Sequence, residues 1–401
     1  MNESYFYVHR FLLRAGLAIA NVFAWIFIFE YFYLLSGNAA RAVAGTVLLY
    51  GFAQFITLVA TPVSAARLRR GTKHSLIWGV VLASAAFVVL GGTFAGYFSS
   101  IPSSETSTQT GAVLAWGVVA FAVLFGLYRA LYWIPYMLLK TQVGLKLSMR
   151  SYLEIVLSLL PLFAGFTLVA VPSAPLRLLF GSAALIGLSA FPAMLLSDTR
   201  ERFSWSYFYT MKQLWQRRNR GLVLQSICEG LQGAALFLVW PLAIFIIVGR
   251  SYLLLGFVFS ATLLLILLLR RAYKWLFKTG RLESSMVHVV IIVSSWVARL
   301  AAGTPLSIIV ADVYSYTTLP DRGTHFDPFS YEHASDRGAF VDEYTALKEM
   351  GLAVGRVMLS ITIFFLALAF ALPLVFAIAL LIAAVASGVS TLVARRATAT
   401  Y

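Results

Sequence analysis

The chain has 401 residues, 60% of them hydrophobic and 12% charged, with a formal net charge of +15 and a mean hydropathy of +0.85. Soluble globular proteins carry about 25% charged residues, so this composition excludes a soluble enzyme or binding module and gives an all-α polytopic membrane protein. The positive charge would suggest nucleic acid in a soluble protein. In a membrane protein, lysine and arginine instead collect in cytoplasmic loops, and no nucleic-acid partner is implied.

A bilayer core needs roughly 20 apolar residues per helical span. At that length the sequence predicts twelve transmembrane helices, near 11–35, 42–65, 75–99, 111–139, 151–171, 176–197, 221–248, 252–270, 285–302, 304–320, 345–371 and 373–394. The opening "MNESYFYVHRFLLRAG" lacks the short apolar core and small-residue cleavage site of a signal peptide, so Phe11 onward reads as a retained first span. Spans nine and ten share 285–320 and divide at Gly303-Thr304-Pro305, because proline disfavours helix at the residue before it.

Charge sets the orientation. The loops after even-numbered spans carry Arg67, Arg69, Arg70 and Lys73; Lys140, Lys146 and Arg150; six basic residues between Arg200 and Arg220; and five between Arg270 and Arg281. The loops after odd-numbered spans hold only Arg41, Arg177 and Arg250. By the bias of Lys and Arg toward the cytoplasm, both termini are expected inside, in an inner (plasma) membrane. Were 285–320 one span, Arg395 and Arg396 would fall outside.

The connection 198–220, "DTRERFSWSYFYTMKQLWQRRNR", mixes Trp205, Tyr207, Phe208 and Trp215 with Lys212, Arg217 and Arg218, as suits a helix lying in the membrane interface. It separates residues 1–197 from 221–401, each expected as a six-helix bundle. "RLRRGTKHS" after span two echoes "KWLFKTGRLES" after span eight, and "RSYLEI" opening span five echoes "DEYTALKEMGL" opening span eleven. Echoes at equivalent places are the sign of an internal repeat.

These features resemble the major facilitator superfamily: two six-helix halves that are pseudo-symmetric, a basic central loop, and basic loops after spans two and eight. The family's motif after span two has a glycine, three residues, an aspartate, a basic residue, any residue, a glycine and two basic residues. Here Ser64 and Leu68 replace the first glycine and the aspartate, while Arg69, Gly71 and Lys73 match. The resemblance implies a secondary transporter, with Arg69, Gly71 and Lys73 in a cytoplasmic gate whose aspartate is missing.

Charges inside a bilayer are costly and usually face a bundle interior or water. Well inside the spans they include Glu30, Arg129, Glu154, Glu229, Arg299, Asp312 and Arg356, with Lys348 and Glu349 at an entrance. Glu30, Arg129, Glu229 and Asp312 lie on spans one, four, seven and ten, the helices that the resemblance makes the lining of a central substrate cavity. These four are the expected substrate- or proton-binding residues.

Each has a plainer reading. Phe27, Tyr31 and Leu34 share a face with Glu30 and clamp an organic substrate, or else Phe29, Tyr31 and Tyr33 form part of an interfacial aromatic belt. Arg129 grips an anionic group through its planar fork or makes a structural ion pair. Glu229, with Gln225 and Gln232 on its side of the helix and Gly230 and Gly233 beside it, binds substrate or holds helices together. Asp312 has no basic residue close in sequence; it carries a proton or makes a structural hydrogen bond to Ser307 or Tyr316. Glu154, Glu349 and Arg356 are expected in gating ion pairs between the halves, or snorkelling, and Arg299 in a similar role at the outer end of span nine.

Three central acids against one arginine lean toward proton coupling, or toward a cationic or amphipathic substrate. No phosphate-binding loop or HExxH motif is present, and one cysteine, Cys228, excludes an intramolecular disulfide or a cysteine metal cage. No enzyme activity, cofactor or metal is therefore expected, His325 and His333 in the acidic loop reading as incidental. A polytopic enzyme acting on lipid would have to draw its chemistry from 321–343, and a non-transporting sensor or scaffold is the third possibility. The expected partners are a small-molecule substrate, protons and the lipid bilayer, with a monomer sufficient.

Overall fold

The computed structural model describes residues 2–99, 107–142, 151–171, 174–198, 203–277, 285–317 and 341–399. The described residues form helices and turns. The N-terminal set is α1 (Asn2–Ser36), α2 (Ala39–Arg67), α3 (Thr72–Ser99), α4 (Ser107–Gln142), α5 (Ser151–Ala170), α6 (Ala174–Leu188) and the short α7 (Ala190–Met194). The connection holds α8 (Tyr207–Gln213). The C-terminal set is α9 (Arg220–Ala234), α10 (Trp240–Ile247), α11 (Tyr252–Phe277), α12 (Ser285–Ala298), α13 (Pro305–Thr317), α14 (Val341–Ala369) and α15 (Leu372–Ala399).

Among the described residues ten stretches are long and apolar enough to cross a membrane, α9 and α10 counting as one of them. The expected ninth and tenth spans are shorter, Val289–Ala301 and Pro305–Ser315, with the chain breaking between them where Gly303-Thr304-Pro305 predicts. Ser307 Oγ closes that break by accepting from the Gly303 and Thr304 N–H groups at 3.1 and 2.9 Å. A side chain thereby satisfies donors that a helix N-terminus leaves open. At the other end of the first hairpin Gly37 takes φ +63°, and Asn38 caps α2 by accepting from the Ala40 N–H at 2.8 Å.

α9 continues into α10 through a π-helical turn, Ala235–Val239, just ahead of Pro241. Proline has no N–H to donate and its ring crowds the preceding turn, and a widened turn accommodates it. Such turns concentrate at functional sites; this one aims Trp240 at Asp312, as described below.

Contacts made by the N-terminal helices recur among the C-terminal ones. α3 packs on α6 as α12 packs on α15, α1 on α6 as α9 on α15, and α2 on α4 as α11 on α13. The two sets meet along α2 with α14 and α5 with α11. Small residues allow these approaches: Gly51 faces Ser360, and Gly165 faces Gly256 so closely that a Cβ on either would collide with backbone across the seam. On the outside, Phe163, Phe166 and Val169 leave one stripe of α5 exposed and apolar, a surface that only a lipid solvent makes favourable.

Candidate functional site

Between α9 and α14 the backbones nearly touch. A Cβ at Gly230 would overlap the Leu352 carbonyl oxygen, and one at Gly355 the Ile227 carbonyl. This close approach brings the polar face of α9 onto the first turns of α14. Glu229 Oε1 accepts from Gln225 Nε2 at 2.9 Å, and its Oε2 lies 3.4 Å from Lys348 Nζ. The Glu229 side chain keeps 25% of its exposure and Lys348 4%. Gln232 turns to its own helix, donating to the Cys228 carbonyl.

Arg356, two turns beyond Glu349 on α14, is buried and reaches across to α2. Its Nη1 donates to Gln54 Oε1 at 3.3 Å, while Arg356 Nε and Gln54 Nε2 are buried without an acceptor. Gly233 leaves room beside that Nε, since a Cβ there would stand 3.6 Å away. Arg129 of α4, Glu229 and Glu349 all lie within electrostatic range of Arg356, and Arg129 Nε is likewise buried and unpartnered. Two guanidiniums from the two helix sets therefore share one interior region. Each unpaired buried donor costs about 1–3 kcal/mol, a cost that an acceptor entering between them would relieve.

The charge balance differs from the sequence expectation. Arg129, Lys348 and Arg356 against Glu229 and Glu349 make three cations against two carboxylates, formally +1. The sequence set Arg356 toward the cytoplasmic end, in a gate; it instead meets Gln54 within α2, a neutral partner.

Glu30 stands apart from this group. Tyr252 of α11 donates to its Oε2 at 2.6 Å, and the Tyr252 ring packs with Phe23, Phe27 and Phe245. Arg250, held at φ +60° in the turn before α11, lies over the Tyr33 ring at 4.2 Å. Of the expected surface belt, Phe29 and Tyr31 are interior, while Tyr33 stays part-exposed beneath Arg250. Phe27 and Tyr31 are buried against Phe94, Phe29 is fully buried against Phe245, and Leu34 is exposed. Glu30 is tolerated in its apolar run because a tyrosine hydroxyl from the other helix set satisfies it.

Asp312 forms a third group. It accepts from Arg299 Nε at 2.8 Å and from Trp240 Nε1 at 2.9 and 3.1 Å. Arg299, expected at the outer end as a snorkelling or gating residue, is 2% exposed. The expected structural partner Ser307 is occupied by the 302–304 turn, and the Tyr316 side chain lies outside the described residues.

The expected gate residues gather around the connection after α7. Arg69 Nε donates to the Phe203 carbonyl at 2.6 Å. Gly71, at φ +130°, sits where a Cβ would overlap the Asp198 carboxylate, and the Lys73 N–H donates to Asp198 Oδ1 at 3.1 Å. Glu343, missed by the sequence reading, accepts from the Ser204 N–H and Oγ at 2.8 and 2.7 Å. Trp205 packs on Tyr344, while Phe208 and Trp215 point outward, strongly exposed. Glu154, expected to pair between halves, lies within electrostatic range of Arg14 on α1, in its own helix set.

Among the described residues no three His, Cys, Asp or Glu side chains gather as a metal site. His325 and His333, and the stretch 321–340 on which a lipid enzyme would depend, lie outside the described residues. So do the basic residues expected at 146–150 and 278–281.

Apolar helices of membrane-crossing length, with charged side chains buried at the seam between two helix sets, mark an integral membrane protein. Its fold is shared with solved structures of membrane transporters. The chain is similar to a bacterial homologue of the iron transporter ferroportin in its inward-facing state, with 14% identity, TM-score 0.63, and 99% of this chain covering 98% of that one. It is similar to the xylose transporter XylE from E. coli in a partially occluded inward-open conformation, with 9% identity, TM-score 0.65, and 98% covering 96%. It is also similar to the E. coli fucose:proton symporter FucP, with 13% identity, TM-score 0.53, and 98% covering 97%. No protein-family profile and no curated protein matches the chain by sequence.

Proposed function

We propose that this protein is a secondary transporter that carries a small anionic solute between its two six-helix halves by alternating access, coupled to protons. The observation that carries the reading is the pair Arg129 and Arg356. They come from opposite halves, lie within electrostatic range of each other and keep buried N–H donors without acceptors. A carboxylate or phosphate arriving between them meets planar forks suited to oxyanions and offsets the local excess of positive charge. Binding would draw the halves together, which is the differential interaction that alternating access needs.

Glu229 is the proton site in this scheme. It remains part-exposed beside Lys348, so protonation releases the lysine and adds one positive charge to the cavity, favouring the anion. The symporter among the similar structures is a precedent for proton coupling on this fold. With basic loops cytoplasmic, the 198–220 connection and both termini face the cell interior of the inner membrane.

The test is uptake into proteoliposomes of a panel of radiolabelled mono- and dicarboxylates and phosphate esters, with and without an imposed pH gradient. Accumulation of one anion class that collapses with a protonophore and is lost in Arg356→Gln supports the reading. Uptake of cations alone, or of nothing across the panel, sinks it.

A further inference from the structure

A second buried arginine carries unused donors, away from the seam. Arg299 gives only Nε to Asp312; its Nη1 and Nη2 are buried with no acceptor. Trp296 and Trp240 flank it, with the guanidinium carbon 4.7 and 5.8 Å from their rings. Arg299 stands in the wall of a cavity of about 260 Å³ whose remaining lining is almost wholly apolar, including Ala243, Ile246, Phe376 and Ala377. The cavity lies between α10, the turn after α12, and the start of α15. Its lining residues Ile247, at the end of α10, and Leu300, in the turn after α12, are exposed. The exposed rim is therefore apolar, and the buried end carries the cation.

We infer that this cavity is a binding site for an amphipathic carboxylate, with the oxyanion accepting from Arg299 Nη1 and Nη2. Asp312 holds the guanidinium by Nε and leaves its other nitrogens to grip a planar oxyanion end-on. The two indoles fix the fork between them. An apolar body fits the walls, and the volume is just below the range for drug-sized ligands, so the site takes a single chain or ring and not a two-chain lipid body. The same head-group chemistry could come from a free acid or from an anionic lipid inserting one chain. The site is independent of the seam at Arg129 and Arg356, and its test reads binding, not transport.

The probe is 2-bromoundecanoic acid, whose bromine lies beside the carboxylate and so quenches tryptophan at the head-group end, titrated into the full chain in nanodiscs of neutral phosphatidylcholine. Saturable quenching is expected, with an amplitude that falls in Trp296→Phe. That substitution removes the reporter without breaking a hydrogen bond, because Trp296 Nε1 has no partner. Ala377→Phe fills the cavity and leaves the Arg299–Asp312 pair intact; it should weaken binding about tenfold or more, as loss of the pocket demands. The methyl ester of the same acid should show only linear, unsaturable quenching. Discs containing phosphatidylglycerol separate the sources: competition assigns an anionic lipid, and its absence a free acid. Equal saturation by ester and acid overturns the oxyanion assignment. Linear quenching by the acid itself, unchanged in Ala377→Phe, leaves the cavity to water and overturns the site.

Discussion

Arg356 on α14 donates through Nη1 to the Gln54 amide oxygen on α2 at 3.3 Å, joining the two helix sets between buried side chains. The bond pairs a full positive charge with a neutral acceptor. It leaves Arg356 Nε and Gln54 Nε2 unsatisfied, donors that the proposed anion would take up. Gln54→Glu would supply that anion permanently in nearly the same volume. Hydrogen bonds to charged groups contribute about 1.5–3 kcal/mol each, so this variant should melt higher in detergent while losing anion uptake. An unchanged melting temperature with uptake intact would show that the arginines are already satisfied.

Glu229 tests the coupling. Glu229→Gln keeps an acceptor for Gln225 Nε2, which lies 2.9 Å from Oε1, but removes the charge facing Lys348. Uptake should persist by exchange and lose its dependence on an imposed pH gradient. Removing the charge of one member of a buried pair costs up to about 3–5 kcal/mol, less here because the glutamate is part-exposed. Glu229→Gln with Lys348→Met should recover that stability without recovering pH dependence. A gradient response surviving in the single variant places the proton elsewhere.

The cavity's wetness is measurable with single cysteines. After Cys228→Ser, Glu229→Cys should react with membrane-impermeant maleimide from one side, and the reactive side should change with a transported anion. Asp312→Cys should resist from both sides, since the carboxylate is 4% exposed beneath Trp240 and Arg299. Labelling at both positions would merge the Asp312 and Glu229 regions into one aqueous space.

How far the sequence reached follows from the range of each interaction. Hydropathy is local, so the apolar stretches and the break at Gly303-Thr304-Pro305 were legible, as was the Gly230 approach, because a glycine beside an acid in a membrane helix signals close packing. Pairings across the bundle were not. Arg299 and Asp312 are separated by 13 positions; a search for a neighbouring base within one helix passes over them, and only the turn at 302–304 brings them together. Arg356 and Gln54 lie 302 positions apart and carry no local signal at all. Arg356 was therefore read as a gate residue from its position in the span. That contact brings Arg356 to the seam where Arg129 also lies, which supports an anionic solute in the proposed function.

The basic end closes differently from the motif it resembles. At the position of the motif's aspartate, Leu68 is fully buried with Phe203 of the connection and Ala346 of α14, and the nearby acids are supplied by Asp198 at Gly71 and Glu343 at Ser204. An apolar seal holds by excluded water, so restoring the motif residue should break it. In Leu68→Asp, a carboxylate enters a pocket lined by carbon, and an unpaired buried charge of that kind is strongly unfavourable. Hydrogen exchange should accelerate in 203–206 and 341–350 with little change in α5 and α11, while Leu68→Met, which conserves volume, should cost less than about 1.5 kcal/mol and leave exchange near the parent. Faster exchange throughout the bundle would mean global destabilisation. Unchanged exchange in Leu68→Asp would mean that the Arg69–Phe203 and Ser204–Glu343 hydrogen bonds, not the apolar contact, keep this end shut.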